Sequence, residues 1–389
     1  VLERALADPI ARVREQAAWA LWALSDPEAI PALTHVLADP EPEVRWSAAA
    51  AVGRTGHPDS VPVLTKLLTD PHDRVRREAV YGLGKSGDPK VPDLVRPLLT
   101  DGARRVRIAS AVVLGKYRDS SAVPALLDRL AFDDAWVRPA VLVALGRIGD
   151  PSATELVRQA ADDKASWVRV CAIHALATMR ADGAREVARR LIRDPVWSVR
   201  GAAAEALGFV GTADDLRILL ETLEDPEPWP RRGAILSLGR LGLPEAAPRI
   251  REELRHAVPE VRLVAVWALG RLRDDGARDA LATMLRTMHP ARTESGTYAQ
   301  GEGAVRLLSD AEGRLFDASV QALGRLAQGE NDAVVRRALV EARRRVADEE
   351  LDRPARLPPP ELTPEAAPPT LRSLFDTAMA VFVEDETGC

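Results

Sequence analysis

The side chains that could carry covalent or metal chemistry are few and scattered. Six histidines, His35, His57, His72, His174, His256 and His289, and two cysteines, Cys171 and Cys389, are all that the 389 residues supply. The histidines occupy unrelated positions, and no HExxH, GxSxG, Walker or paired-cysteine pattern occurs. Two thiols cannot make a disulfide framework or, alone, a four-ligand zinc site. His174 follows Cys171 by three residues, about one helical turn. A small buried thiol beside an ordinary surface histidine accounts for that pair. No catalytic, cofactor or metal site is therefore expected.

Recognition chemistry is better represented. Arg54, Lys85, Lys116 and Arg147 recur at 31-residue steps, and Arg240, Arg271 and the aligned Arg325 continue the series. Cations in a last helical turn favour the macrodipole by about 0.3–1 kcal/mol each, but they could equally hold an anionic partner. Trp19, Trp46, Arg77, Tyr81, His174, Arg232 and Trp267 fall on the same predicted face. Trp, Tyr and Arg are the residue types that dominate interface energetics. A second row, Trp136, Trp167, Trp197 and Trp229, covers turn edges or forms an aromatic ridge.

The elements that must position these groups follow from one period. Arginine recurs at Arg14, Arg45, Arg76, Arg107, Arg138, Arg169, Arg200, Arg231 and Arg262, always 31 residues apart. Valine precedes each except Arg231, which follows Pro230, and Leu or Val lies seven positions on, usually followed by Gly. Each unit reads as two helices, as in DPHDRVRREAVYGLGKSGD then PKVPDLVRPLLTD. Small and apolar residues at offsets three, four, six and seven from the Arg make one helical stripe. The Gly at offset eight is expected to cap the helix in the left-handed region. Asp26, Asp88 and Asp150, each before Pro, should cap the second helix. Asp8, Asp39, Asp70, Asp101, Asp163, Asp194 and Asp225 lie six residues before their Arg, suited to charge-assisted bonds that laminate the units. Phe132 and His256 interrupt that ladder, so two layers should be weaker unless Asp133 or Asp134 substitutes. A single helix pair cannot bury its apolar face, whereas stacked pairs can, so the repeat predicts an all-α, right-handed α-solenoid.

Units such as DDAWVRPAVLVALGRIGDPSATELVRQAADD resemble the HEAT-like repeats first named from phycobilisome lyases, and also the 31-residue modules of artificial solenoids. The resemblance covers residues 1 to about 348. It implies an armadillo-like superhelix of helix pairs in which the Arg-bearing helix lines the concave side, with offsets one, five and nine facing outward. Its members include chromophore lyase subunits, adaptors and scaffolds. The His-Glu pairs of the iron-binding deoxyhypusine hydroxylase relatives are absent, since no histidine here precedes Glu, which argues against a di-iron enzyme.

Residues 1–272 thus hold nine regular repeats and 273–348 an interrupted terminal one. Leu269-Gly270 next recurs at Leu323-Gly324, 54 residues later, and Phe316 replaces the ladder Arg. The excess is a polar insertion over 288–312, read as a loop, before a capping helix over 331–348. Residues 349–389 form a Pro-rich acidic tail ending in a short amphipathic segment with Leu371, Leu374, Phe375, Ala378 and Phe382 at helical spacing. Nine acidic and three basic residues give that tail a net −6, and its segment 371–386 could dock back on the basic face.

These features predict a non-catalytic scaffold binding a protein or peptide partner on the concave face of the first five repeats. A bilin-lyase-like chromophore-binding subunit is the alternative, and visible absorbance with bilin would mark it. Nucleic acid is a further alternative, but the near-neutral charge of residues 1–348 argues against it. No apolar run is long enough to span a membrane. Two cysteines point to a reducing, cytoplasmic compartment, although the absent initiator Met leaves an upstream signal open.

Overall fold

The computed structural model describes residues 2–287 and Ala322. Residues up to Ala181 form one unit and those from Asp182 a second. The insertion at 288–312, Phe316, Arg325, the predicted helix over 331–348 and the tail lie outside the described residues. Those described are α-helices, 3-10 turns and connecting loops, with no strand among them. The Arg-bearing helices are α1 (Ala11–Leu24), α2 (Pro42–Thr55), α3 (Asp73–Ser86), α4 (Arg104–Tyr117), α5 (Val137–Ile148) and α6 (Ser166–Met179) in the first unit. The second holds α7 (Trp197–Val210), α8 (Pro228–Leu241) and α9 (Pro259–Leu272). A shorter helix follows each, such as Ile30–Val36 after α1 and Leu216–Thr222 after α7.

Local chemistry fixes where these helices begin. The ladder aspartates close tight turns ahead of them: Asp39 Oδ1 accepts from the Glu41 N–H at 3.0 Å, and Asp70 Oδ1 from the His72 N–H at 2.9 Å. The second helices are entered through capped 3-10 turns, where Asp26 and Asp150 accept from the N–H two residues on, as Asp88 does from Lys90.

The helices end three residues later than the sequence suggested. Gly56, Gly87, Gly149 and Gly242, at offset eleven, take the left-handed conformation with φ between 61° and 76°. The glycines at offset eight lie inside their helices and serve a different purpose. A Cβ on Gly53 would meet Gly82 Cα at 2.5 Å, and one on Gly115 would meet Ala144 Cα at 2.6 Å. Offset eight of one repeat therefore presses against offset six of the next, and glycine lets the two backbones touch. A Cβ on Gly270 would meet Ala322 Cα at 3.0 Å, the same approach made across the 54-residue step.

Val44, Val75, Val106, Leu83, Leu114 and Leu145 are fully buried along these seams, so many thin Ala/Leu layers replace one thick core. Within each unit, ladder guanidiniums hold successive turns together. Arg14 donates Nε and Nη2 to both oxygens of Asp39 at 2.6 and 2.8 Å, and Nη1 to the Asp8 carbonyl at 2.8 Å. Arg45 with Asp70, Arg76 with Asp101, and Arg200 with Asp225 repeat the fork. Arg138 reaches Asp163 at 3.1 Å. Arg169 and Arg262 donate Nη1 to the carbonyls of Asp163 and His256, each at 2.8 Å, and Asp194 accepts from the Val196 N–H.

The two interrupted layers are repaired by neighbours. Asp133 takes Arg107 in a two-pronged pair at 2.8 and 2.7 Å, while Phe132 points out, 83% exposed. Arg231 reaches Glu253 at 3.2 Å in place of the missing acid at His256.

Candidate functional site

Offsets one, five and nine of α1 to α4 build one face of the first unit. Its densest part is aromatic. Trp19 packs edge-on against Trp22 at 5.4 Å and against Trp46 at 5.3 Å, a geometry favoured by ring quadrupoles. The Arg54 guanidinium lies 4.0 Å from the Trp22 ring centre and donates Nε to Ser25 Oγ at 2.6 Å.

Arg54, Lys85 and Lys116 follow one another at offset nine and are exposed. Lys116 Nζ donates to the Gly84 carbonyl at 2.6 Å. None of these three cations is paired with a carboxylate among the described residues. Arg77 gives Nε and Nη2 to Glu78. Tyr81 and Arg147 are half-buried on the same face. Glu15, the acid at offset one of α1, is held by Arg12 at 2.8 Å.

Two residues expected on the binding face are buried instead. His174 is only 8% exposed, because α6 is enclosed on almost every side from Cys171 to Ala177. Burial pushes its imidazole down to about 4 and the Cys171 thiol up to about 12. Neither is a base or nucleophile near neutral pH.

Arg232 is 5% exposed. Glycines draw α7 and α8 close: a Cβ on Gly201 would strike the Trp229 ring, and one on Gly233 would meet the Gly201 carbonyl oxygen at 2.6 Å. That approach encloses Glu205, 2% exposed, between Arg232 at 3.8 Å and Arg240 at 3.4 Å. Burial raises the Glu205 carboxyl against the pull of both cations, and lowers both guanidiniums. Arg232 stacks on Trp229, Arg240 on Phe209 and Arg271 on Trp267, at 4.8, 4.2 and 5.3 Å. Arg271 also donates to the Gly239 carbonyl at 3.2 Å.

The edge tryptophans divide between packing and exposure. Trp136 and Trp167 stack at 5.6 Å, and Trp167 Nε1 donates to the Ala135 carbonyl at 3.1 Å. Trp136 remains 46% exposed.

Sequence reasoning missed Trp22, Glu205 and Phe209. Trp22 stands at offset eight, where most repeats have glycine, and Glu205 is an acid at offset five, where other repeats are apolar, aromatic or histidine. Both departures from the repeat were visible signals. Among the described residues, no group of three His, Cys, Asp or Glu could hold a metal ion, and no helix is long and apolar enough to cross a membrane.

None of the curated proteins matches the chain significantly. Among solved structures, yeast importin-β (Kap95p) is similar with a TM-score of 0.59 at 12% identity, covering 90% of this chain and 52% of that one. Kap95p in a complex with RanGDP gives 0.55 at 13% identity, covering 89% and 58%. The chain thus spans little more than half the length of importin-β. The CpcE–CpcF phycocyanin lyase of Nostoc sp. PCC7120 gives 0.36 at 21% identity over 73% and 94%, too low to carry an argument. The two importin-β likenesses show an all-α solenoid fold. The PBS lyase HEAT-like repeat model matches residues 13–39, and the HEAT repeats model matches 33–115, 97–177, 159–234 and 216–299 in overlapping succession. With both repeat period and lamination as that family requires, the chain belongs to the HEAT-repeat family.

Proposed function

We propose that this protein is a non-catalytic interaction scaffold whose first unit binds an acidic protein or peptide segment on the face made by offsets one, five and nine. The carrying observation is the run Arg54, Lys85 and Lys116, exposed and without carboxylate partners, beside the Trp19–Trp22–Trp46 cluster. A row of unneutralised cations steers an anionic chain, and the aromatic cluster offers it apolar anchorage. The ladder arginines differ, because their charge is already used between repeats. Kap95p, which shares the fold, binds RanGDP. Binding another protein is the use we propose for this HEAT array as well.

One candidate occupant belongs to the chain itself. Segment 371–386, LRSLFDTAMAVFVEDE, carries Asp376, Glu384, Asp385 and Glu386 against Arg372, a net −3, with Phe375 and Phe382 among its apolar residues. A labelled peptide of this sequence is the probe, and full-length protein with E384Q, D385N and E386Q is the host, so that the resident tail favours neither the native nor the reversed face. Anisotropy titration should show binding that weakens at least tenfold in K85E/K116E. Unchanged affinity would remove this face from consideration.

A further inference from the structure

Corresponding positions of the two units keep a pair of cations but differ in the acid between them. Glu205, Arg232 and Arg240 stand at offset five of one repeat and offsets one and nine of the next. Five repeats earlier, 155 residues back for each, stand Ala50, Arg77 and Lys85. In the second unit the Glu205 carboxylate sits between its two cations, at 3.8 and 3.4 Å. In the first unit the two cations are kept and the carboxylate is replaced by a methyl group. Arg54 stands where Phe209 lies in the second unit, which adds a third cation.

From this correspondence we infer that Ala50, Arg77 and Lys85 form an anchoring subsite for a carboxylate of the partner, an Asp or Glu side chain taking the place that Glu205 fills internally. The inference rests on the acidic-partner reading above and names its central contact. Ala50 is half-exposed and its small side chain leaves the space open. Arg77 gives only Nε and Nη2 to Glu78, so Nη1 remains to donate, and Lys85 has no partner among the described residues. Trp46 and Arg54 lie four residues before and after Ala50 on α2, one helical turn to either side. Tyr81 stands between Arg77 and Lys85 on α3. A carboxylate seated there would be flanked by an aromatic ring and by the cation stacked on Trp22. In the second unit Glu205 already fills the equivalent place, so that site would not compete for the same group.

Supplying the carboxylate in cis tests this directly. In the full-length E384Q/D385N/E386Q host, A50E should pair with Arg77 and Lys85 and melt roughly 1–3 °C above A50Q. That gap should shrink in 1 M salt. A50E should also weaken the 371–386 peptide at least tenfold, whereas A50Q changes it less than threefold. If A50E is no more stable than A50Q, the subsite is overturned whatever the peptide does. If A50E is stabilised but the peptide binds as before, the site holds no partner carboxylate and the inference fails. Loss of binding in K85E/K116E without loss in A50E would leave the face intact and remove only this subsite.

Discussion

An arginine recurring every 31 residues joins two turns at once, and its geometry explains why lysine cannot replace it. In Arg76, Nε and Nη2 take both oxygens of Asp101 while Nη1 reaches the Asp70 carbonyl at 2.7 Å. Lysine has one nitrogen and no fork. R76K should therefore cost about 1–3 kcal/mol, since the shielded Asp101 carboxylate loses half of its pair; urea denaturation would measure it, and a change below 0.5 kcal/mol would contradict the fork as a stabilising contact. His174 makes a separate prediction. Its pKa is about 4 folded against 6.5 ordinarily, through burial, so the folded state binds fewer protons than the unfolded between those values. Stability should fall by up to about 3 kcal/mol as pH drops from 6.5 to 4, and H174Q should flatten the pH dependence of the melting temperature in that window.

At the scale of elements, close approach decides which residues are tolerated. G115V would drive its side chain into the α5 backbone at Ala144, 2.6 Å from a Cβ, and should cost several kcal/mol. G87A meets nothing within 4 Å and bears only the strain of φ +73°, about 1 kcal/mol. Comparing the two by thermal unfolding separates packing from backbone strain; equal losses would contradict the seam geometry. These positions also show what was legible in sequence. The period, the helix pairs, the Asp caps and the Arg–Asp spacing could be read directly, because each depends on contacts at fixed separation. The role of the offset-eight glycine could not, since a glycine near a helix end and one facing a neighbouring helix look alike until the neighbour is placed. The burial of Arg232 and His174 was hidden for the same reason: it depends on how closely α7 and α8 approach, and on how fully α6 is enclosed. Asp133 was readable as a substitute for Phe132, whereas Glu253 lies three residues from the expected place and depends on its helix for reach.

Across the whole molecule, lamination by ion pairs sets the response to acid. The Arg14 fork holds the Asp39 carboxyl below the usual range. In Asp101 and Asp225 burial pushes upward but is outweighed by the bonds from Arg76 and Arg200. Asp215 is likewise lowered, its burial outweighed by the Thr212 N–H and by Arg185 and Arg189. Carboxyls lower in the folded chain add stability above the unfolded value of 3.8, and that stability is lost as pH falls through 4 and below. Acid unfolding should therefore steepen below about pH 4, beyond the His174 window, in wild type and H174Q alike. On the same scaffold the Arg54, Lys85 and Lys116 row is the charge left over for recognition. A charge-swap titration tests that assignment most directly. Peptide 371–386 with Glu384, Asp385 and Glu386 each changed to Lys should bind K85E/K116E at least tenfold more tightly than it binds the unreversed face, in full-length protein whose own tail carries E384Q, D385N and E386Q and so favours neither face. Equal affinity of both faces for that peptide would contradict a groove that reads acidic partners through these cations.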